Sequence, residues 1–193
     1  MLLQEKLADK KIILASQSPR RQELLHGLGI DFSIVKIDAD ESYPAELSGE
    51  KITEFISASK ANAYQNLKEN EILITADTLV WLDGEVLGKP KNYEDAFSMI
   101  RKMAGKTHEV FTSISLKSTE KLVTFSDCTA VQFAEISDEE IRYYLDNFQP
   151  YDKAGSYGIQ DWIGYTKIIG IKGCYYNVMG LPLPKLYTEL IDF

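Results

Sequence analysis

Ile12-Ile13-Leu14-Ala15-Ser16-Gln17-Ser18-Pro19-Arg20-Arg21 is the stretch on which the fold turns. Its four leading apolar residues read as a short buried strand. Ser18-Pro19 then reads as a helix start, because serine can cap and proline suits the first helical position. Leu24, Leu25 and Leu28 continue at helical spacing, and Gly27 and Gly29 mark the stop. Phe32 to Ile37 follows as a second strand. A strand, a helix and a strand in succession belong to an α/β chain.

The same alternation continues outward. Ile52 to Asn66 reads as an amphipathic helix, with Ile52, Phe55, Ile56, Ala63 and Leu67 on one stripe. Ile72 to Trp81 is a strand rich in β-branched residues, and Asp83-Gly84 predicts a tight turn after it. Tyr93 to Met103 is helical and stops at Gly105. Val110 to Leu116 and Leu122 to Phe133 read as two long strands joined by a polar turn. Ser137 with Glu140 forms a capping box ahead of a helix over Asp138 to Asn147. A loop rich in Gly, Asp and Tyr spans Pro150 to Gly164. Lys167 to Ile171 is a strand, and Pro184 to Ile191 a closing helix. The two long neighbouring strands imply antiparallel pairing, so the fold class is mixed α/β rather than a purely parallel sheet.

The 193 residues, 45% apolar and 26% charged, read as one domain over 1–193 with a real core. A net charge of −8 argues against a nucleic-acid partner, which calls for a basic face. Such a chain still binds a nucleotide where cations converge at the phosphates. Cys128 and Cys174 sit far apart in no metal or redox spacing and read as reduced, partly buried thiols. No apolar run spans a bilayer, and no signal core precedes Lys11, so the expectation is a cytoplasmic protein without a membrane partner.

Five segments carry candidate chemistry. Ser16, Arg20 and Arg21 flank a helix N-terminus, where free N–H groups and the dipole favour an anion and arginine forks hold phosphate. The bland alternative is a capped surface helix with two solvated arginines, although arginines in a first turn oppose the dipole. Asp77-Thr78 stands near the end of the apolar strand run Ile72 to Ala76; a carboxylate there is costly unless it meets a cation or metal, and it can act as a base. Its alternative is a strand-end turn cap. Gly84-Glu85-Val86-Leu87-Gly88-Lys89-Pro90 is too short between its glycines for a Walker loop, and Pro90 stands where Ser or Thr would take the metal. Lys89 there offers a point charge or is a plain turn lysine. Lys60 edges the apolar stripe and, on the residues alone, is a snorkelling lysine. Asp152-Lys153-Ala154-Gly155-Ser156-Tyr157-Gly158-Ile159-Gln160 is a glycine-spaced loop or a surface turn; its Gln160 can read a base edge. Asp38, Asp40 and Glu41 form an acidic cluster of oxygen donors or a solvated loop. His26 and His108 are isolated, with no zinc spacing. Tyr157, Tyr165, Tyr175 and Tyr176 offer stacking rings, with ordinary packing as the default.

Taken together, Leu14-Ala15-Ser16, Ser18-Pro19-Arg20-Arg21, Lys60-Ala61, Ala76-Asp77-Thr78, Leu87-Gly88-Lys89-Pro90, the 152–160 loop and Gly180-Leu181-Pro182-Leu183 resemble the Maf family of nucleotide pyrophosphatases, in the family's order and over nearly the whole chain. The resemblance implies an elongated, two-lobed α/β fold similar to inosine triphosphate pyrophosphatases, with a central cleft. It implies a hydrolase that converts nucleoside triphosphates to monophosphate and pyrophosphate. Asp77 matches the family's proton acceptor. Arg20, Thr78 and Gln160 match positions tied to substrate choice, and Ser16, Arg21, Lys60, Lys89 and Lys153 the phosphate-facing set. Glu41 matches an acidic position that helps hold the metal, with Asp77; Mg²⁺ or Mn²⁺ suits such oxygens. The Gly-Ile-Gln form of the late loop resembles the branch acting on dTTP and UTP. That branch carries Gly after the Gln, where this chain has Asp161, an added charge that bears on the loop and on a triphosphate. A homodimer is the family expectation. The rival readings are a non-enzymatic binding module acting in septum formation, and the same reaction on a modified pyrimidine or methylated purine nucleotide.

Overall fold

The computed structural model describes residues 2–193; Met1, the first residue of the single domain read from the sequence, lies outside the described residues. In chain order the elements are α1 (Leu3–Lys6), β1 (Lys11–Leu14), α2 (Pro19–His26), β2 (Phe32–Ile34), α3 (Glu50–Ala63), β3 (Glu71–Leu82), β4 (Glu85–Leu87), α4 (Tyr93–Met103), β5 (Thr107–Lys117), β6 (Leu122–Phe133), α5 (Asp138–Phe148), α6 (Trp162–Lys167), β7 (Ile168–Lys172), α7 (Tyr175–Met179) and α8 (Leu183–Asp192). A 3-10 turn covers Ala154–Ser156. The strands join in one seven-stranded sheet in the order β2-β1-β3-β5-β6-β7, with β4 paired to β3. β1 runs parallel to both β2 and β3, whereas β4 and β7 are antiparallel to their neighbours. The sheet is therefore mixed, as the two long neighbouring strands implied. No described helix is long and apolar enough to cross a membrane.

Two compact units emerge from the contacts. The first comprises the residues to Asp77, Thr112–Asp127 and Gly180–Phe193; the second comprises Thr78–Phe111 and Cys128–Met179. The boundary falls inside β3, β5 and β6.

In the first unit the opening strand behaves as its sequence dictates. Ile12, Ile13 and Leu14 are all buried, as a strand covered on both faces requires. Ile13 packs with Leu73 of β3 and Ala61 of α3, and Ala15, Val35, Ile37 and Leu67 pack around them. The buried face of α3 differs from the expected stripe. Phe55 is exposed and so is Ala63, while Thr53 and Ser57 are fully buried beside Ile52 and Ile56. The stripe is turned by one residue because buried hydroxyls, not Phe55, face the sheet. α3 also ends three residues short of the expected Asn66.

The second unit has its own core, in which Val80, Leu82 and Leu87 of the β3–β4 hairpin meet Ile100 and Met103 of α4 and Ile141 and Leu145 of α5. The hairpin turn is Asp83-Gly84, both residues with positive φ (51° and 89°), the two-residue geometry that Asp-Gly favours. Glu85 to Leu87 is thus a strand, and the segment weighed as a phosphate loop makes no strand-to-helix cradle. The Ser137–Glu140 capping box forms as expected. The segment expected to be loop through Gly164 is in part the helix α6. Neither cysteine is in a disulfide, as expected, but Cys128 is exposed rather than partly buried.

Candidate active site

Four of the sequence-selected side chains in the first unit gather on one ammonium and its neighbour. Lys60, on the last turn of α3, places Nζ 2.9 Å from Asp77 Oδ1 and 2.8 Å from Glu41 Oε1. Lys60 and Asp77 are nearly buried, with side chains 15% and 16% exposed, whereas Glu41 is 59% exposed. The Lys60–Asp77 contact therefore works in a poor dielectric, and the Glu41 contact is largely screened. Asp77 lies in β3 two residues beyond Thr75, so strand periodicity turns both toward α3. On the residues alone Lys60 read as a snorkelling lysine. The structure corrects this: its head is paired, with a carboxylate 17 residues away.

Arg21 is the fourth member. Its Nε donates to the carbonyl of Gly180 (2.9 Å) and its Nη1 to that of Ala76 (2.9 Å). The guanidinium thus fastens the start of α2 to the end of the apolar run of β3 and to the Gly180 turn. Burial lowers its pKa, Asp77 raises it again, and nearby Arg20 and Glu41 also bear on it; a guanidinium stays protonated regardless. Ser16 closes the strand-to-helix turn: its Oγ accepts from the N–H of Ser18 at 3.3 Å, and its carbonyl accepts from Gln22 Nε2 at 3.3 Å. Ser18, expected as a side-chain cap, makes no capping bond.

Burial pushes the Asp77 carboxyl above the ordinary carboxylate range. Lys60, through its charge and its hydrogen bond, and then Arg21 pull it back, and Glu41 adds to the rise. The result is a carboxyl less acidic than a solvated one, with an ammonium beside it, which suits a proton acceptor.

Metal ligation can be judged from the donors present. Two carboxylates, Asp77 and Glu41, converge on a single cationic atom, the Lys60 Nζ. Among the described residues no group of three His, Cys, Asp or Glu side chains could hold an ion by itself. Such a pair fits Mg²⁺ or Mn²⁺, which take one or two protein carboxylates and draw their remaining oxygens from phosphates and water.

Arg20, next to Arg21 in the first turn of α2, is half-buried. The remaining candidates belong to the second unit. Thr78 follows Asp77 in β3 and is half-buried. Lys89 is exposed just beyond β4. The N–H of Gly155 donates to the carbonyl of Gly88 at 3.0 Å, so the Lys89 segment and the late loop are joined. Gly155 has φ +67° and lies so close to Val80 that a Cβ would fall 3.0 Å from it. Lys153 Nζ bonds Asp152 Oδ1 at 2.8 Å and lies 4.0 Å from Asp161 Oδ2. Gln160 is half-buried at the loop's end.

Asp161, the departure from the family pattern, is absorbed by the loop. Its Oδ2 accepts from the Tyr144 hydroxyl at 2.7 Å, and that hydroxyl accepts from the N–H of Gly158 at 3.0 Å. A Cβ on Gly158 would meet Asp161 Oδ2 at 2.4 Å. Asp161 therefore braces the loop that carries Gln160. His108, isolated in sequence, is a second brace: it is buried, and its Nε2 lies 2.7 Å from the Tyr157 hydroxyl. Tyr157 is thus a packed, hydrogen-bonded core residue, not a free stacking ring. No local signal announces these braces, since each joins residues 14 or more apart.

The Maf-like protein family model matches residues 11–193. A dTTP/UTP pyrophosphatase of Bacteroides thetaiotaomicron is 54% identical over 182 residues, which is 93% of this chain and 94% of that protein. A dTTP/UTP pyrophosphatase of Flavobacterium johnsoniae is 52% identical over 98% of each chain, and one of Phocaeicola vulgatus is 53% identical over 96% of this chain and 97% of its own. Among solved structures, the Staphylococcus aureus Ham1 protein is similar at a TM-score of 0.49 and 16% identity, over 65% of this chain and 73% of that one. A match running from β1 to the last residue, with relatives about half identical over nearly all of it, makes this chain a member of the Maf-like family.

Proposed function

We propose that this protein is a nucleoside triphosphate pyrophosphatase acting on dTTP and UTP. Water attacks the α-phosphorus, the bond from that phosphorus to the oxygen bridging to the β-phosphorus breaks, and pyrophosphate leaves with the bond's electron pair. The nucleoside monophosphate keeps the new oxygen. Asp77 accepts the proton of the attacking water. The observation that carries the reading is the Lys60 ammonium seated against both Asp77 and Glu41 in a nearly dry position. Such an arrangement places positive charge beside the base that takes the proton. The names of the relatives support the choice of dTTP and UTP.

Arg20, Arg21, Lys60, Lys89 and Lys153 supply the cations that a triphosphate demands, with Ser16 at the α2 turn. Arg21 also ties the start of α2 to the middle of β3 and to Gly180, through two of its N–H groups. Asp77 and Glu41 would hold a divalent Mg²⁺ or Mn²⁺, which when bound neutralises phosphate charge. Thr78 and Gln160 read the base. A cytoplasmic homodimer completes the reading.

The test is a product analysis of the purified protein with dTTP, UTP, CTP, GTP and 7-methyl-GTP, with and without Mg²⁺ or Mn²⁺. Monophosphate and pyrophosphate from dTTP and UTP, dependent on the ion and lost in Asp77→Asn, is the expected result. Cleavage confined to 7-methyl-GTP would overturn the role of Gln160. Diphosphate and orthophosphate would overturn the mechanism.

A further inference from the structure

Along α3, Thr53, Ser57 and Lys60 follow at helical spacing and share one face. The first two are fully buried and hydrogen-bonded to the sheet by hydroxyls. Thr53 Oγ1 meets Ser113 Oγ of β5 at 2.6 Å. Ser115 Oγ donates to Ser57 Oγ at 3.1 Å and pairs with Thr124 Oγ1 of β6 at 2.8 Å. Thr75 of β3 donates its hydroxyl to the carbonyl of Ser57 at 2.7 Å. Past Lys60, the Lys117 ammonium of β5 donates to the carbonyls of Ala61 (2.9 Å) and Tyr64 (3.1 Å) at the helix end.

Apolar packing alone would let a helix settle at several heights on a sheet. Hydroxyl pairs are directional, and a slip leaves them buried without partners. One residue of slip moves Lys60 by about 1.5 Å along the helix axis. Thr75 is two residues before Asp77 on the same strand face, and its partner Ser57 is three residues before Lys60 on the same helix face. The Thr75–Ser57 bond and the Asp77–Lys60 bond are therefore consecutive rungs between the same two elements.

We propose that Thr75 is a positioning residue: its hydroxyl sets the register of α3 on β3 and so the place of the Lys60 ammonium beside Asp77. The kinetic consequence rests on the pyrophosphatase reading; the geometric one does not.

Thr75→Val keeps the branched shape and removes the hydroxyl, and the Ser57 carbonyl keeps its helical N–H partner. With dTTP and Mg²⁺, kcat is expected to fall roughly ten- to a hundredfold, the scale of a small misplacement of a reacting group. KM should stay within about threefold. Thr75→Ser, which keeps the hydroxyl, should restore kcat, and a crystal structure of Thr75→Val should show Lys60 Nζ and Asp77 Oδ1 parted beyond 2.9 Å. Wild-type kcat in Thr75→Val, a loss shared equally by Thr75→Ser, or a loss with the 2.9 Å contact intact would each overturn the proposal. If Thr75→Val does not fold, Thr75→Ala, which also removes the hydroxyl that reaches the Ser57 carbonyl, takes its place with the same measurements. If the wild-type protein cleaves no triphosphate, the pyrophosphatase reading fails alone, and the crystal structure still decides the register.

Discussion

Replacing His108 by Gln removes one titrating group from the core of the second unit and alters how stability depends on pH. His108 is 1% exposed and stands edge-on to Phe133 and Tyr157, with ring centroids 4.9 and 5.2 Å away. Its Nδ1 has no hydrogen-bond partner among the described residues. Burial lowers its pKa from 6.5 to about 4. Between these values the unfolded chain binds a proton that the folded chain refuses, so stability present above 6.5 is lost as pH falls toward 4. At about 1.4 kcal/mol per unit, the loss is ~0.2 kcal/mol near pH 7 and ~2.5 kcal/mol near pH 4.5. Urea denaturation of both proteins at those two values measures it. The wild type should lose about 2 kcal/mol more than His108→Gln over that interval. Acid effects from carboxylates are common to both and cancel in the difference. Equal losses in the two proteins would refute the reasoning, because His108 would then be titrating as a solvated imidazole.

The other predictions concern the loop braces and the base. Tyr144→Phe deletes the hydroxyl shared by Asp161 and Gly158 and should cost about 2 kcal/mol of stability in the same assay, as a bond to a charged group does; a change under about 0.5 kcal/mol would mean that Asp161 is not held this way. Gly158→Ala drives a Cβ to 2.4 Å from that carboxylate, and should raise KM for dTTP more than it lowers kcat, since it disturbs the loop ending in Gln160; an unchanged KM would refute a link from loop to base. Because burial raises the Asp77 carboxyl, kcat/KM should climb with pH along a limb lying above the ordinary carboxylate range, and Asp77→Asn should abolish turnover while leaving the melting transition in place. A limb in the ordinary carboxylate range would refute that placement.

Strands and helices were legible in this chain where periodicity ran long enough. The limits of β6, the span of α4 and the α5 capping box could be read in advance, because each depends on neighbours within a turn or a strand. Short elements were not. β4 is three residues and α1 four, below the length at which a pattern repeats, and α7 lay hidden among tyrosines considered for stacking. On α3 the error was one of chemistry. Counting only apolar residues placed Phe55 on the buried face, whereas the helix buries Thr53 and Ser57 because β5 offers them Ser113 and Ser115. That complementarity belongs to two segments some sixty residues apart and exists in neither alone.

Lys60 shows the same division at the site itself. Its position on the helical wheel makes a snorkelling lysine the ordinary reading, and only family resemblance singled it out. In the structure, what distinguishes it is Asp77, a carboxylate that would be costly to bury beside the apolar run of β3 without a cation. Each residue supplies the reason for the other. A lysine at the edge of a core needs no explanation, and neither does an aspartate after an apolar run, but the pair, nearly buried and seated on a hydroxyl-bonded helix, does. A cation and an anion placed so deeply gain little stability over apolar residues of similar size. The pair is better explained by what a partly desolvated carboxyl beside an ammonium does than by what it holds together, which is why the decisive comparison for Asp77→Asn is between turnover and melting temperature.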